Sequence, residues 1–181
     1  MIEIRKLTLG DMRQAIELKA LCWPEEVGSF AGSGLDIERE YLFWTDWMAK
    51  GPENNDVRLL YGAFENGNML GVAFGSFAEA EDIPEGGIEL NGLWVYPQHR
   101  GRGISFMLIN RILDDYLKLG MKQMVIYNFH DSTSNSFYRK WGCQVIRQDR
   151  QTKDELPVDV FLCDISEVNQ KMKAALTKYI K

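Results

Sequence analysis

The stretch Ile88–Gly120, IELNGLWVYPQHRGRGISFMLINRILDDYLKLG, decides how the whole chain is read. Its first part is apolar with strand composition (Ile88, Leu90, Leu93, Trp94, Val95), and Pro97, which has no N–H for a ladder, stops it. Gly101 and Gly103 then space a tight turn. From Ile104 a helical period takes over: Ile104, Leu108, Ile112 and Tyr116 repeat along one side, widened by Met107, Ile109, Leu113 and Leu117. Gly120 stands where a left-handed glycine closes a helix. The stretch reads as strand, glycine turn, helix.

That order has chemical consequences. The first turn of a helix leaves backbone N–H groups unpaired, and the aligned peptide dipoles put partial positive charge there. Glycines clear the side chains that would keep a phosphate away, so the turn is a ready anion site. Arg100 and Arg102 place formal charge beside it. The turn is not a nucleotide-triphosphate loop, because GxxxxGK[ST] is absent. Nor is it the dinucleotide fingerprint, since Gly101-Arg102-Gly103-Ile104-Ser105-Phe106 lacks the third glycine.

A length of 181 residues suits one domain, 1–181, able to bury a core without metals or disulfides. The net charge of −5 argues against a general nucleic-acid binder and is compatible with a cationic small-molecule substrate. Cys22, Cys143 and Cys163 are odd in number and widely spaced, which argues against a disulfide framework and for a reducing compartment. His99 and His130 fall in no Cys/His ligand pattern, so no metal is expected. With no long apolar span and no signal-like N-terminus, the expected location is the cytoplasm, with no membrane partner. Oligomeric state is open, and a homodimer is compatible with the sequence.

In chain order, Ile2 to Leu7 reads as a first strand and Thr8 as the cap of a helix that Pro24 ends. A glycine- and serine-containing loop, Glu25 to Gly34, leads to a second helix capped by Asp36, with Ile37, Tyr41, Trp44 and Met48 on one stripe. Phe43 and Trp47 lie off that stripe, where rings can line a cleft. Arg58 to Phe64 and Met69 to Phe77 form a hairpin around Asn66-Gly67. An acidic loop, Glu79 to Glu85, precedes the central strand, and Gln123 to Tyr127 follows the central helix as a parallel neighbour. Asp131 or Ser132 can cap a short helix, SNSFYRKWG, ended by Gly142. Two strands, Cys143 to Arg147 and Val158 to Ile165, and a C-terminal helix, 166–181, capped by Ser166, complete an α/β (α+β) chain with helices against a mixed sheet.

This order, with Val95-Tyr96-Pro97-Gln98-His99-Arg100-Gly101-Arg102-Gly103-Ile104, resembles the GNAT superfamily of acyl-CoA-dependent N-acyltransferases. Gln98, Gly101 and Gly103 match its Q/R-x-x-G-x-G/A motif, and Ser134 to Gly142 is similar to the family helix ending in F-Y-x-x-x-G. The resemblance implies a single domain with a mixed, mostly antiparallel sheet, a parallel pair splayed at its centre and helices on both faces. It implies acetyl-CoA as co-substrate, with its pyrophosphate on the backbone N–H groups of Arg100, Gly101, Arg102, Gly103, Ile104 and Ser105. The pantetheine arm would pair with exposed backbone at Leu93, Trp94 and Val95. Where many members carry Asn to hold the cofactor, this chain has Asp131, which suits a helix cap better; Asn135 is the substitute ligand.

The implied reaction moves an acetyl group directly to a primary amine of a small molecule or peptide. An alkyl amine of pKa about 10.4 is neutral only about one part in a thousand at pH 7, so a base is needed. The resemblance points to Glu89 on the central strand; the alternative is an ordinary strand residue opposite Leu90. Glu81, Asp82 and Glu85 are second choices, for proton uptake or for attracting a cation. Tyr138 matches the general acid for the departing thiolate, against the alternative of a tyrosine packed beside Phe137. A backbone N–H near Val95 could polarise the thioester carbonyl. Cys143 reads as core, not as a nucleophile. The competing function is a non-catalytic acyl-CoA sensor of the same fold.

Overall fold

The structure, a computed structural model, describes residues 1–28, 34–151 and 155–179. Chain order is β1 (Glu3–Lys6), α1 (Leu9–Val27), α2 (Ile37–Ala49), β2 (Leu59–Glu65), β3 (Asn68–Phe77), β4 (Ile88–Val95), α3 (Ile104–Lys118), β5 (Gln123–Phe129), α4 (Asn135–Lys140), β6 (Gln144–Gln151), β7 (Leu156–Asp164) and α5 (Ile165–Leu176). The strands form one sheet in the order β1-β2-β3-β4-β5-β7-β6, antiparallel throughout except for β4 against β5. The fold class, the parallel pair and the helices on both faces agree with the sequence reading.

The hairpin behaves as Asn-Gly dictates: Glu65 pairs with Asn68, and Asn66 and Gly67 both have positive φ (52° and 80°). Helix α3 ends on a Schellman motif, in which Gly120 N–H reaches the Leu117 carbonyl at 3.0 Å and Met121 N–H the Tyr116 carbonyl at 3.1 Å. Its apolar stripe, with Leu108, Ile112 and Tyr116 fully buried, packs on one face of the sheet against Ile88, Leu90 and Phe161. On the other face Met12, Ile16 and Leu18 of α1 and Trp44 of α2 cover Phe74 and Trp94.

The centre of the sheet departs from a continuous ladder. β4 pairs with β3 over its whole length, with Asn91 as the extra residue of a bulge between the Gly75–Leu90 and Phe74–Gly92 pairs. On its other side β4 meets β5 at two rungs alone, Ile88–Met124 and Glu89–Val125. β5 then turns wholly to β7. A wedge therefore opens between β4 and β5 from Leu90 onward.

Four expectations need correcting. Pro24 does not end the first helix: α1 runs through it to Val27, and Gly28 N–H closes on the Pro24 carbonyl. A proline costs a helix about 3 kcal/mol, offset here by the burial of Cys22 and Val27 on either side of it. The expected loop Glu25–Gly34 thus begins inside the helix, and residues 29–33 lie outside the described ones. The N-cap position of the short helix α4 is Ser134, not Asp131 or Ser132; its side chain makes no capping hydrogen bond, and the Ser132 hydroxyl accepts from the Ser134 N–H at 3.4 Å. The cap of helix α5 lies two residues before Ser166: the Asp164 carboxylate accepts from Glu167 N–H at 2.8 Å, and the helix begins at the buried Ile165.

The fourth concerns cysteine. Cys143 and Cys163 form a disulfide with Cα atoms 4.5 Å apart. They stand opposite each other one rung beyond the Gln144–Leu162 pair of the β6–β7 ladder, so cross-strand register joins them whatever their spacing in sequence. Cys143 is nonetheless core, as its position suggested, and Cys22 is free and buried. Among the described residues no helix is long and apolar enough to cross a membrane.

Gly71 lies where β3 supports the exit of β4. A Cβ there would come within 2.8 Å of the Trp94 carbonyl oxygen. Gly71→Ala should therefore lose about 1–3 kcal/mol, read as a lower urea midpoint with an unchanged m-value.

Candidate active site

β4 runs out through Tyr96, whose N–H donates to the Leu70 carbonyl at 3.0 Å, into a 3-10 turn, Pro97–His99. Gly101 and Gly103 have left-handed φ (75° and 77°), and Gly103 is the N-cap of α3. The Arg100 N–H donates to the Pro97 carbonyl at 3.3 Å, and the Met107 N–H to that of Gly103 at 3.1 Å. Between them the amides of Gly101, Arg102, Gly103, Ile104, Ser105 and Phe106 donate to no acceptor among the described residues. A Cβ on Gly101 would meet nothing within 4 Å, so one side of this row is open. The row is an anion nest at the positive end of a 15-residue helix. It starts one residue later than the sequence reading placed it, since the Arg100 amide is engaged.

The arginines play a different part from the one expected. Arg102 donates to both Glu65 carboxylate oxygens, at 2.9 and 3.0 Å, at the far hairpin. Arg100 donates to Glu25 at 2.7 Å and to the Val95 carbonyl at 3.1 Å, with Cys22 Sγ at 3.6 Å. Each guanidinium is matched by a carboxylate, so the pull on an anion comes mainly from the amides. Gln98 is exposed on the 3-10 turn. Leu93, Trp94 and Val95 border the wedge, where the β5-facing edge of β4 has no strand partner.

The wedge opens into a cleft of about 600 Å³, walled by α1, α2, β4, β5 and α4. Both Glu89 and Tyr138 line it. Burial, with the nearby charges of Asp82, Glu79 and Asp56, pushes the Glu89 carboxyl up to about 7, against a smaller pull from Asn91. Tyr138 is buried between Phe137 and Phe161, and burial, with the charge of Glu26, raises its phenol above the ordinary range. Its hydroxyl has no hydrogen-bond partner among the described residues. One wall thus carries a carboxylate poised between its two forms, and another carries a hydroxyl that keeps its proton.

Two expected residues have other work. The Asn135 amide donates to the Phe129 and His130 carbonyls (3.0 and 2.8 Å), and its oxygen accepts from Asn128 at 2.7 Å. Its side chain thus holds α4 to the end of β5, with both amide hydrogens engaged. Asp82, only 2% exposed, is clamped by Arg147 at 2.6 Å and by the Tyr127 hydroxyl. It pins the acidic loop to β5 and β6, whereas Glu81 and Glu85 are exposed.

Glu26 was missed by the sequence reading. It lines the cleft from the last turn of α1, accepts a hydrogen bond from the Trp94 indole, and has its carboxyl pushed up by burial. The helical phase of Leu18, Cys22 and Val27 continuing past Pro24 is the signal that could have found it. Nearby, the Lys19 ammonium pairs with Glu40 at 2.6 Å and lies 5.1 and 5.7 Å from the Trp44 and Trp94 ring centres. Phe43, exposed off the core stripe as expected, and Trp47, which instead packs against the core beside Trp44, also line the cleft. Burial raises the Cys22 thiol, which stays protonated and is a poor nucleophile. Among the described residues no group of three or more His, Cys, Asp or Glu could hold a metal ion.

A sheet parted at its one parallel pair, with an anion nest at the mouth and titratable groups in the cleft, defines an α/β protein suited to a phosphorylated ligand. Residues 15–143 match the model of the acetyltransferase (GNAT) family, and the chain belongs to that family. No curated protein matches its sequence. Solved structures share its fold. The PaiA N-acetyltransferase from Thermoplasma acidophilum, in complex with coenzyme A, is 21% identical, covers 91% of this chain and 99% of its own, and has a TM-score of 0.68. A GNAT superfamily phosphinothricin acetyltransferase from Sinorhizobium meliloti, in complex with acetyl-CoA, is 16% identical, with coverage of 90% and 88% and a TM-score of 0.66. The ribosomal-protein-alanine N-acetyltransferase from Brucella melitensis is 14% identical, with coverage of 90% and 99% and a TM-score of 0.64.

The raised carboxyl of Glu89 has a signature in stability. Between its ordinary value of 4.5 and about 7 the folded chain binds more protons at this site than the unfolded one, so rising pH costs the native state stability there. Glu89→Gln removes that loss. The melting temperature of the variant relative to the parent should climb from pH 4.5 to 7 and then level off.

Proposed function

We propose that this protein is an acetyl-CoA-dependent N-acetyltransferase that passes an acetyl group directly to a primary amine of a small molecule or peptide. One observation carries the reading. The cleft holding Glu89 and Tyr138 and the groove at the amide row share Val95, Arg100, Ser105 and Phe137 as walls. A ligand anchored by its diphosphate at the turn therefore has a continuous path to both groups. The residues fit acetyl-CoA: six free amides for the diphosphate, and an unpaired strand edge for the amides of the pantetheine arm.

The acceptor enters as an ammonium and must lose a proton. With its carboxyl at about 7, Glu89 takes that proton near neutral pH without being swamped by its own protonation. The amine nitrogen then attacks the thioester carbonyl, forming the C–N bond as the C–S bond breaks. Tyr138, whose phenol is protonated before transfer, gives that proton to the leaving sulfur, and the second proton of the nitrogen, released as the amide forms, passes through solvent to restore the phenol. Proximity supplies the rest, since both reactants are held in one cleft.

The test is release of free CoA thiol from acetyl-CoA across a panel of primary amines. Turnover should rise with pH through about 7 as Glu89 ionises, and Glu89→Gln should abolish that limb. Tyr138→Phe should lower kcat by about 100-fold. Stabilisation by acetyl-CoA with no turnover of any amine would instead mark a non-catalytic acyl-CoA-binding domain.

A further inference from the structure

Helix α5 lies wholly beyond the segment matched by the family model, yet it reaches the anion nest. It is strapped along α3 by Asn169 and Lys173, both donating to Asp114, at 2.8 and 2.5 Å. This pairing carries its C-terminal end to the first turn of α3. There the chain makes one more turn, with Lys178 N–H on the Ala175 carbonyl and Tyr179 N–H on the Leu176 carbonyl. The Tyr179 ring is thereby laid against Gly103: a Cβ on that glycine would sit 3.0 Å from two ring carbons. The ring centre is also 6.0 Å from that of Phe106, edge to face.

Gly101, Gly103, Ser105 and Tyr179 are walls of one groove of about 230 Å³. The ring is 44% exposed, so it contributes little to the core, and its hydroxyl has no partner among the described residues. An aromatic side chain kept half in water beside a row of free amides has the form of a ligand contact. We propose that Tyr179 is a binding residue for the diphosphate end of the acyl-CoA. Its ring forms the outer wall of the nest and its hydroxyl donates to a phosphate oxygen, a charge-assisted hydrogen bond. This rests on acyl-CoA being the donor, as proposed above.

Calorimetry with CoA and steady-state kinetics with two donors test it. Acetyl-CoA carries the diphosphate, and acetylpantetheine does not. Tyr179→Ala should weaken CoA binding and raise KM for acetyl-CoA by about tenfold, as expected for losing a hydrogen bond to a charged group. It should leave kcat, and kcat/KM with acetylpantetheine, unchanged. Tyr179→Phe, which keeps the ring but loses the hydroxyl, should show most of the same loss in KM. Unchanged or tighter CoA binding by Tyr179→Ala would overturn the proposal, the second case marking the ring as a plug. An equal loss with both donors would overturn it too. Failure of the parent protein to bind CoA would instead remove the donor assignment itself.

Discussion

Everything in this molecule depends on β4 and β5 parting after two rungs. A buried peptide group left without a partner costs about 1–3 kcal/mol, so a sheet does not open at its centre without something to hold it open. Here β4 carries a bulge at Asn91, where the gap begins, and β7 pairs with the whole of β5. The two strands diverge from each other while each keeps a full ladder on its other side. The glycine turn then follows at the end of the diverging strand, so the gap and the anion nest are products of one run of sequence.

The electrostatics follow from the same opening. A carboxylate buried on a continuous strand needs a charged or hydrogen-bonding partner, as Asp159 of β7 has in Arg139. Glu89 stands at the last rung before the gap, where burial raises its proton affinity without neutralising it for good. The clamp of Arg147 on Asp82 keeps one more carboxylate fixed close by, and that fixed charge adds to the effect. Tyr138 reaches the cleft from α4, which Asn135 ties to the end of β5 and the Cys143 N–H fixes at its far end by donating to the Tyr138 carbonyl at 3.1 Å.

Much of this was legible in the chain because it is local. The strand–turn–helix of Ile88–Gly120, the Asn66-Gly67 hairpin and the Gly120 stop each follow from residues within one or two turns. The places of Glu89 and Tyr138 came from motif position, and the structure puts both on one cleft. What stayed hidden is decided at long range. Nothing near Arg102 foretells Glu65, and nothing near Asn135 foretells that Asn128 and two carbonyls would use up its amide. Pro24 was given its intrinsic weight, whereas burial of its neighbours governs, and Glu26 was lost with it. The Cys143–Cys163 pair follows from ladder register, which spacing along the chain does not encode.

The cleft at the wedge is lined from both layers of the sheet. Tyr138 belongs to the layer under α3, and Trp44 and Trp94 to the layer under α1 and α2, yet all three meet in the same opening. On the proposed reading, donor and acceptor share this one opening, and no side chain has to store the travelling group in between.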